Sequence, residues 1–281
     1  MSRTITTNYP NGLTLTNASD NPISIASGAS VTDTTGSALQ STSSIYWSLT
    51  NSGTVQANGT AAGSGIALAA GAALTNTSGG VVSGYAFGVS VAGAGSVVNT
   101  GRISSGKTTG SGFTYNQTIH SFSALSAGLF LAGGEIANNT GGTISGYFEG
   151  AVIGGGGSVV NAGSIIGTGS AQGLGIVLPS GGSVTNLSGG LISGDAYAMV
   201  SLGGGYVDNQ GGATLTSPTL GIFALYKAET VTNQGAINGT KVAGVDLLGG
   251  GAVQNAAGAS IAGGYYGVMI SGSRGLLRIR A

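Results

Sequence analysis

A phrase of eleven residues recurs in this chain and limits its fold more than any single residue does. Leu74-Thr75-Asn76-Thr77-Ser78-Gly79-Gly80-Val81-Val82-Ser83-Gly84 returns as Val184-Thr185-Asn186-Leu187-Ser188-Gly189-Gly190-Leu191-Ile192-Ser193-Gly194. Shorter forms drop the double glycine, as in Val98-Asn99-Thr100-Gly101-Arg102-Ile103 and Val160-Asn161-Ala162-Gly163-Ser164-Ile165. The phrase Asn falls at Asn51, Asn76, Asn99, Asn138, Asn161, Asn186, Asn209, Asn233 and Asn255, in steps of 25, 23, 39, 23, 25, 23, 24 and 22. A second marker, an apolar residue in a run that follows a glycine, falls at Ile66, Val89, Leu129, Ala151, Ile176, Met199, Ile222, Val245 and Val268. Its steps are 23, 40, 22, 25, 23, 23, 23 and 23. The two markers agree on a period near 23 and place one insertion in the same unit. Repeats of this length build stacked architectures, in which each unit buries its apolar face on its neighbour.

Each period holds three short alternating runs, for example Gly88-Val89-Ser90-Val91, Ser96-Val97-Val98-Asn99 and Arg102-Ile103-Ser104. Runs this short cannot nucleate helices. The period suits a leucine-rich repeat, but the leucine skeleton and helical segment of that repeat are missing. The pattern predicts an all-β parallel β-helix with about 23 residues and three short strands per coil. Successive coils then lie ~4.8 Å apart and equivalent residues stack in columns. Residues 1–48 are expected to form a cap and irregular first coils, with Trp47 packed at the cap. Residues 49–272 carry the repeats, with the insertion near 107–124, and 273–281 read as a basic tail outside the repeat. The phrase Asn has a structural reason to recur. It tolerates a tight left-handed corner, and stacked amides can bond from coil to coil.

Composition narrows the function classes. Glycine supplies 57 of 281 residues, yet no three-residue period with abundant proline exists, so collagen is excluded. The chain has no Cys, hence no disulfide and no thiolate metal site. Charged residues are 6% of the chain and none lies between Asp33 and Arg102. Three of the eight bases, Arg274, Arg278 and Arg280, sit in the last eight residues, so the body has no basic stripe for nucleic acid. No apolar h-region follows Met1 and no apolar run is long enough for a membrane helix.

The alternation of V-x-N-x-G-x-I-x-G with G-V-x-L over about residues 10–272, and the lead-in Gly12-Leu13-Thr14-Leu15-Thr16-Asn17, resemble the passenger domains of bacterial autotransporters and related outer-membrane adhesins. The resemblance implies a right-handed β-helix, export to the Gram-negative cell surface, and a translocating β-barrel beyond the passenger. It implies adhesion or display rather than catalysis, and contact with a host-surface protein or glycan or with another rod. The sequence itself carries neither a signal peptide nor a barrel, so it is expected to be a piece of a longer passenger. The alternative is a carbohydrate-active β-helix enzyme, a polysaccharide lyase or hydrolase.

Such an enzyme needs clustered carboxylates. The eight acids, Asp20, Asp33, Glu135, Glu149, Asp195, Asp208, Glu229 and Asp246, fall in different columns and are expected on a scattered, solvated surface. The sole histidine, His120, has no partner at triad or zinc-site spacing. No catalytic residue, metal ligand or cofactor is therefore expected. Two departures from the repeat remain as contact candidates. In the glycine-phrase strand the outward column reads Phe130, Val152, Val177, Val200 and Phe223, apolar where water is expected. The insertion brings Phe113, Tyr115, His120 and Phe122, more aromatic than the coils around it. Either set could contact a partner; each could also pack on the chain itself. Tyr85, Phe87, Tyr147, Phe148, Tyr197, Tyr265 and Tyr266 gather at the corner before the glycine phrase, where they can ladder or stack on sugar rings.

Overall fold

In the computed structural model, residues 2–59, 63–106, 114–116, 121–123, 126–169, 172–272 and 275–279 are described. The chain winds as an all-β parallel solenoid of about 11 turns with a spacing near 23 residues. One coil shows the plan. Leu174–Leu178 lies on a first face, Gly182–Asn186 on a second and Leu191–Gly194 on a third, and Tyr197–Ser201 then returns to the first. We call these the glycine face, the asparagine face and the third face.

Every step of both sequence markers is a hydrogen-bonded parallel pairing. Ile66, Val89, Leu129, Ala151, Ile176, Met199, Ile222, Val245 and Val268 neighbour one another in order on the glycine face. Asn51 to Asn255 do so on the asparagine face. The long step is no exception: Asn99 pairs with Asn138 across the insertion. In two coils the strand runs round the corner, as Phe87–Asn99 and Ala127–Asn138, which joins two faces into one hydrogen-bonded sheet.

The interior is a continuous aliphatic core. Val82, Ile103, Ile144, Ile165, Ile192, Leu215 and Ile237 line it from the third face, each fully buried. One-face alternation explains this: a residue whose neighbours point out must point in. The phrase Asn side chains are buried too, at 0% exposure from Asn51 to Asn233. Each amide nitrogen donates to the next amide oxygen, 2.9 Å from Asn51 to Asn76 and 2.8 Å from Asn161 to Asn186. Each also donates to corner carbonyls, as Asn138 does to Gly142 at 3.2 Å. Burying eight amides would be costly without partners; stacking supplies a partner for each.

Both ends of the chain join the stack further than the phrase predicts. Arg3–Ile5 pairs with Ile23–Ile25, which pairs with Trp47–Asn51, so residues 3–48 are already regular coils. Ile25 occupies the column that Asn51 opens, which is why no phrase marks it. Trp47 is not at the cap edge. It is fully buried in the interior, and its indole N–H donates to Ser41 Oγ at 3.0 Å. The cap contact is Arg3, whose guanidinium meets Asp20 at 3.1 Å. At the other end, Gly275–Ile279 adds a strand in register with Gly251–Asn255, placing Ile279 where the next Asn would stand. That stretch leaves the sequence phrase without leaving the stack.

Candidate functional site

The outward apolar column lies where alternation puts it, but it is not free surface. Val152 and Val177 are 0% exposed and Val200 is 4% exposed. They belong to a second hydrophobic cluster outside the main core, with Ala127, Leu174 and Leu202, while Phe130 and Phe223 pack at its margins. Neighbouring corner aromatics close over the column one coil away. Phe87 meets Phe130 with ring centroids 5.9 Å apart, and Tyr197 stacks on Phe223 at 5.6 Å. Of the corner aromatics, Phe87 and Tyr197 thus pack across to the stripe rather than up a single ladder. Tyr147 and Phe148 pack edge to face at 4.8 Å, and only Tyr265 and Tyr266 are widely exposed.

In the insertion, Thr114–Asn116 and Ser121–Ser123 pair as a two-stranded antiparallel ribbon, with Tyr115 opposite Phe122. Phe113 and His120 lie outside the described residues.

The acids do not all behave as a solvated surface. Asp20, Asp33, Glu135, Asp195 and Asp208 are at least partly exposed. Glu149, Glu229 and Asp246 are buried, at 0%, 0% and 5% exposure. This corrects the expectation of a scattered wet set, and the reason is local volume. Glu229 stands in a corner column that is otherwise Trp47, Ala72 and a run of glycines, with Gly205 and Gly251 on either side. Those glycines and the small Ser201 and Ala224 leave interior space that a carboxyl side chain fills. Neither carboxylate oxygen has a hydrogen bond of ordinary geometry. Burial pushes its pKa up to about 7, and the nearby Ser201 hydroxyl opposes this weakly. Burial also raises Asp246, which sits on the outer side of the glycine face between Phe223 and Met269.

These carboxyls do not form a catalytic pair. Glu149 and Glu229 are three coils apart, about 14 Å along the axis, beyond the ~5–9.5 Å that glycoside hydrolysis uses. Glu229 points into the core and Asp246 away from it. Among the described residues no group of three His, Cys, Asp or Glu could hold a metal.

A site that the repeated phrase does not mark lies on the third face. Gln56, Ser83, Ser104 and Ser145 are register partners in four successive coils. All four point outward, because Val55, Val82, Ile103 and Ile144 beside them point in. They floor an open groove of about 460 Å³. Ser104 is 8% exposed, and Ser83 Oγ is buried with no hydrogen-bond partner. Arg102, two residues before Ser104 and therefore on the same side, is exposed at the rim. Tyr85 stands at the corner end, where Ser105 and Gly106 lead into the insertion. The signal was present in the sequence: a polar residue follows the inward Val or Ile of the phrase in each of these coils. It was hidden because Ser and Gln at an outward phase look like ordinary wet surface.

No family model, curated protein or solved structure matches this chain.

Proposed function

We propose that the chain is a non-enzymatic, rod-like passenger that displays binding surfaces at a bacterial cell surface, as an adhesin or stalk. The observation that supports this reading most is where the polar repeat residues go. The nine phrase Asn side chains are consumed in a coil-to-coil ladder, buried from Asn51 to Asn233, so the most repeated polar group builds the rod and is not offered to a substrate. The buried carboxyls are likewise separated by coils or by the sheet wall. What remains outward is contact chemistry: hydroxyl and amide columns and the exposed Tyr265 and Tyr266. The resemblance to autotransporter passengers supports an extracellular setting, with membrane attachment through a β-barrel elsewhere in a longer protein. A host-surface protein, a glycan or a second rod is the partner class.

The test sets binding against turnover. Beads carrying the purified chain are expected to retain surface glycans or cells with no reducing sugar released. Sugar release that disappears in Glu149→Gln or Asp246→Asn would overturn the reading in favour of a β-helix lyase or hydrolase.

A further inference from the structure

We propose that the groove on the third face, floored by Gln56, Ser83, Ser104 and Ser145, binds an oligosaccharide that carries a carboxylate, with Arg102 as its anion contact. The proposal rests on the reading of the rod as a binding module and names the ligand class of one surface.

Four features of the groove carry it. First, its floor is polar and unspent. None of the four floor side chains makes a hydrogen bond among the described residues, and Ser83 Oγ is buried without a partner there. Buried polar atoms are almost always satisfied by protein, water or ligand, so this oxygen is a hydrogen-bonding group that the described side chains leave unmet. Of the other hydroxyls near the groove, Ser105 is engaged with Ser126 at 3.0 Å and Thr168 with the Gly146 carbonyl at 3.3 Å. Among the described lining hydroxyls, those of the floor column and of Tyr85 are left to meet a ligand.

Second, the donors are of the right kind. Hydroxyls donate and accept, and the Gln56 amide does both through separate atoms. A sugar ring presents the same mixture of hydroxyl donors and acceptors. The floor repeats at the coil spacing of ~4.8 Å, close to the advance of one pyranose along an extended chain. Successive rings can then meet successive coils in one orientation.

Third, Arg102 is the one charged side chain among the described residues that line the groove. Residues 34–101 hold no charged side chain, so Arg102 faces no competing acid from the two coils directly before it. Its guanidinium makes no ion pair among the described residues. A planar guanidinium favours a carboxylate through two parallel N–H donors. One cation is too few for nucleic acid, which needs a basic stripe. A peptide strand could not pair here either, because the backbone groups of these strands are used by the coils above and below.

Fourth, Tyr85 stands at the end of the groove beside the root of the insertion. An aromatic face at a groove end stacks on the apolar face of a terminal sugar ring.

The experiment is saturation-transfer NMR with isothermal titration on the full 281-residue chain. The probes are a trigalacturonate, 3′-sialyllactose, the uncharged maltotriose, and acetate alone. The expected result is binding of at least one acidic oligosaccharide, none of acetate, and weaker binding of maltotriose. Arg102→Gln should weaken the acidic ligand about tenfold, the scale of one charge-assisted hydrogen-bonded contact, and leave maltotriose unchanged. Ser104→Val should weaken both probes, with an unchanged circular-dichroism melt as the folding control. Arg102 is exposed, so its variant tests the proposal even if Ser104→Val fails to fold. Failure of the wild type to bind either acidic probe at millimolar concentration overturns the proposal. So does binding that survives Arg102→Gln, or binding of acetate as strong as that of the oligosaccharides. Sugar release in the same tubes would overturn the non-enzymatic reading while leaving the groove assignment standing, so the two failures are distinguishable.

Discussion

At the scale of single residues, Glu229 shows how a solenoid can hide a titratable group. Its carboxyl is buried in a pocket made by Gly205, Gly251 and Ser201, and burial holds its pKa near 7 against an ordinary 4.5. The sign of its effect on stability follows directly. A folded-state pKa above the unfolded value means that the native state prefers the proton. The contribution is fully present below about pH 4.5 and is lost as the pH rises through 7. The full loss is roughly 3 kcal/mol, from a shift of about two and a half pH units at 1.36 kcal/mol each. Asp246 acts in the same direction. Asp33 acts in the opposite one, because backbone N–H groups of Thr35 and Gly36 lower its pKa. Urea midpoints measured between pH 5 and 9 should therefore fall with rising pH, and Glu229→Gln should flatten most of that slope. A slope unchanged in Glu229→Gln would place the titration elsewhere. The sequence held the phase of this residue, four before the phrase Asn, where six of the other coils carry glycine. It did not hold the volume those glycines leave, so an acid at that phase read as surface. Trp47 occupies the same column and is buried there for the same reason: its indole fills the corner beside the small Ser41.

Single strands and columns were legible to different degrees. The Asn ladder could be read because a buried column must repeat at the period, and both its spacing and its chemistry are printed in the phrase. Its energetics follow from its geometry. Asn161→Ala removes the acceptor of Asn138 and the donor to Asn186, along with bonds to the Gly163 and Leu191 carbonyls. Several buried groups lose partners at once, so a cost of about 2–4 kcal/mol is expected, read as a lower urea midpoint. Asn255→Ala should cost less, because that residue is only half-buried and its amide donates to the Ala259 carbonyl alone. The outward stripe was half legible. Alternation fixed the side on which Val152, Val177 and Val200 point. It could not say what lies above that side, which depends on corner aromatics one coil away and on neighbours in the second cluster. The two readings separate experimentally. A buried Val177 predicts that Val177→Ala costs roughly 1–3 kcal/mol through lost contacts and a residual cavity. A free contact surface predicts a change within about 0.5 kcal/mol, the usual range for exposed positions.

At the scale of the whole rod, the stack makes stability local. Each coil touches mainly its two neighbours, so a solenoid behaves as a chain of coupled units rather than one globule. The two ends of this chain differ. The first coil is tied by Arg3 to Asp20 and stacks on a buried Ile5, whereas the last one leaves Tyr265, Tyr266, Leu276 and Leu277 exposed and Ile261, Val268 and Ile270 only part-buried. Opening should therefore begin at the last coils. Native-state hydrogen exchange is expected to run fastest in Ser260–Gly263, Tyr266–Ile270 and Gly275–Ile279, slower in Ile23–Ile25, and slowest in the mid-rod strands Thr143–Gly146, Ser164–Gly167 and Leu191–Gly194. The nearest-neighbour argument also predicts how far a lesion travels. Asn161→Ala should speed exchange in the coils holding Asn138 and Asn186 and leave Ser30–Asp33 and Ala243–Leu247 at their wild-type rates. Equal acceleration along the whole chain would mean that the coils unfold as one cooperative body. In that case the groove between Gln56 and Ser145 could not be perturbed or repaired independently of the distant coils. If the effect stays local, the groove and the buried Glu229 coil are separate working parts of one scaffold, and a ligand in the groove should protect only the amides of the coils that floor it.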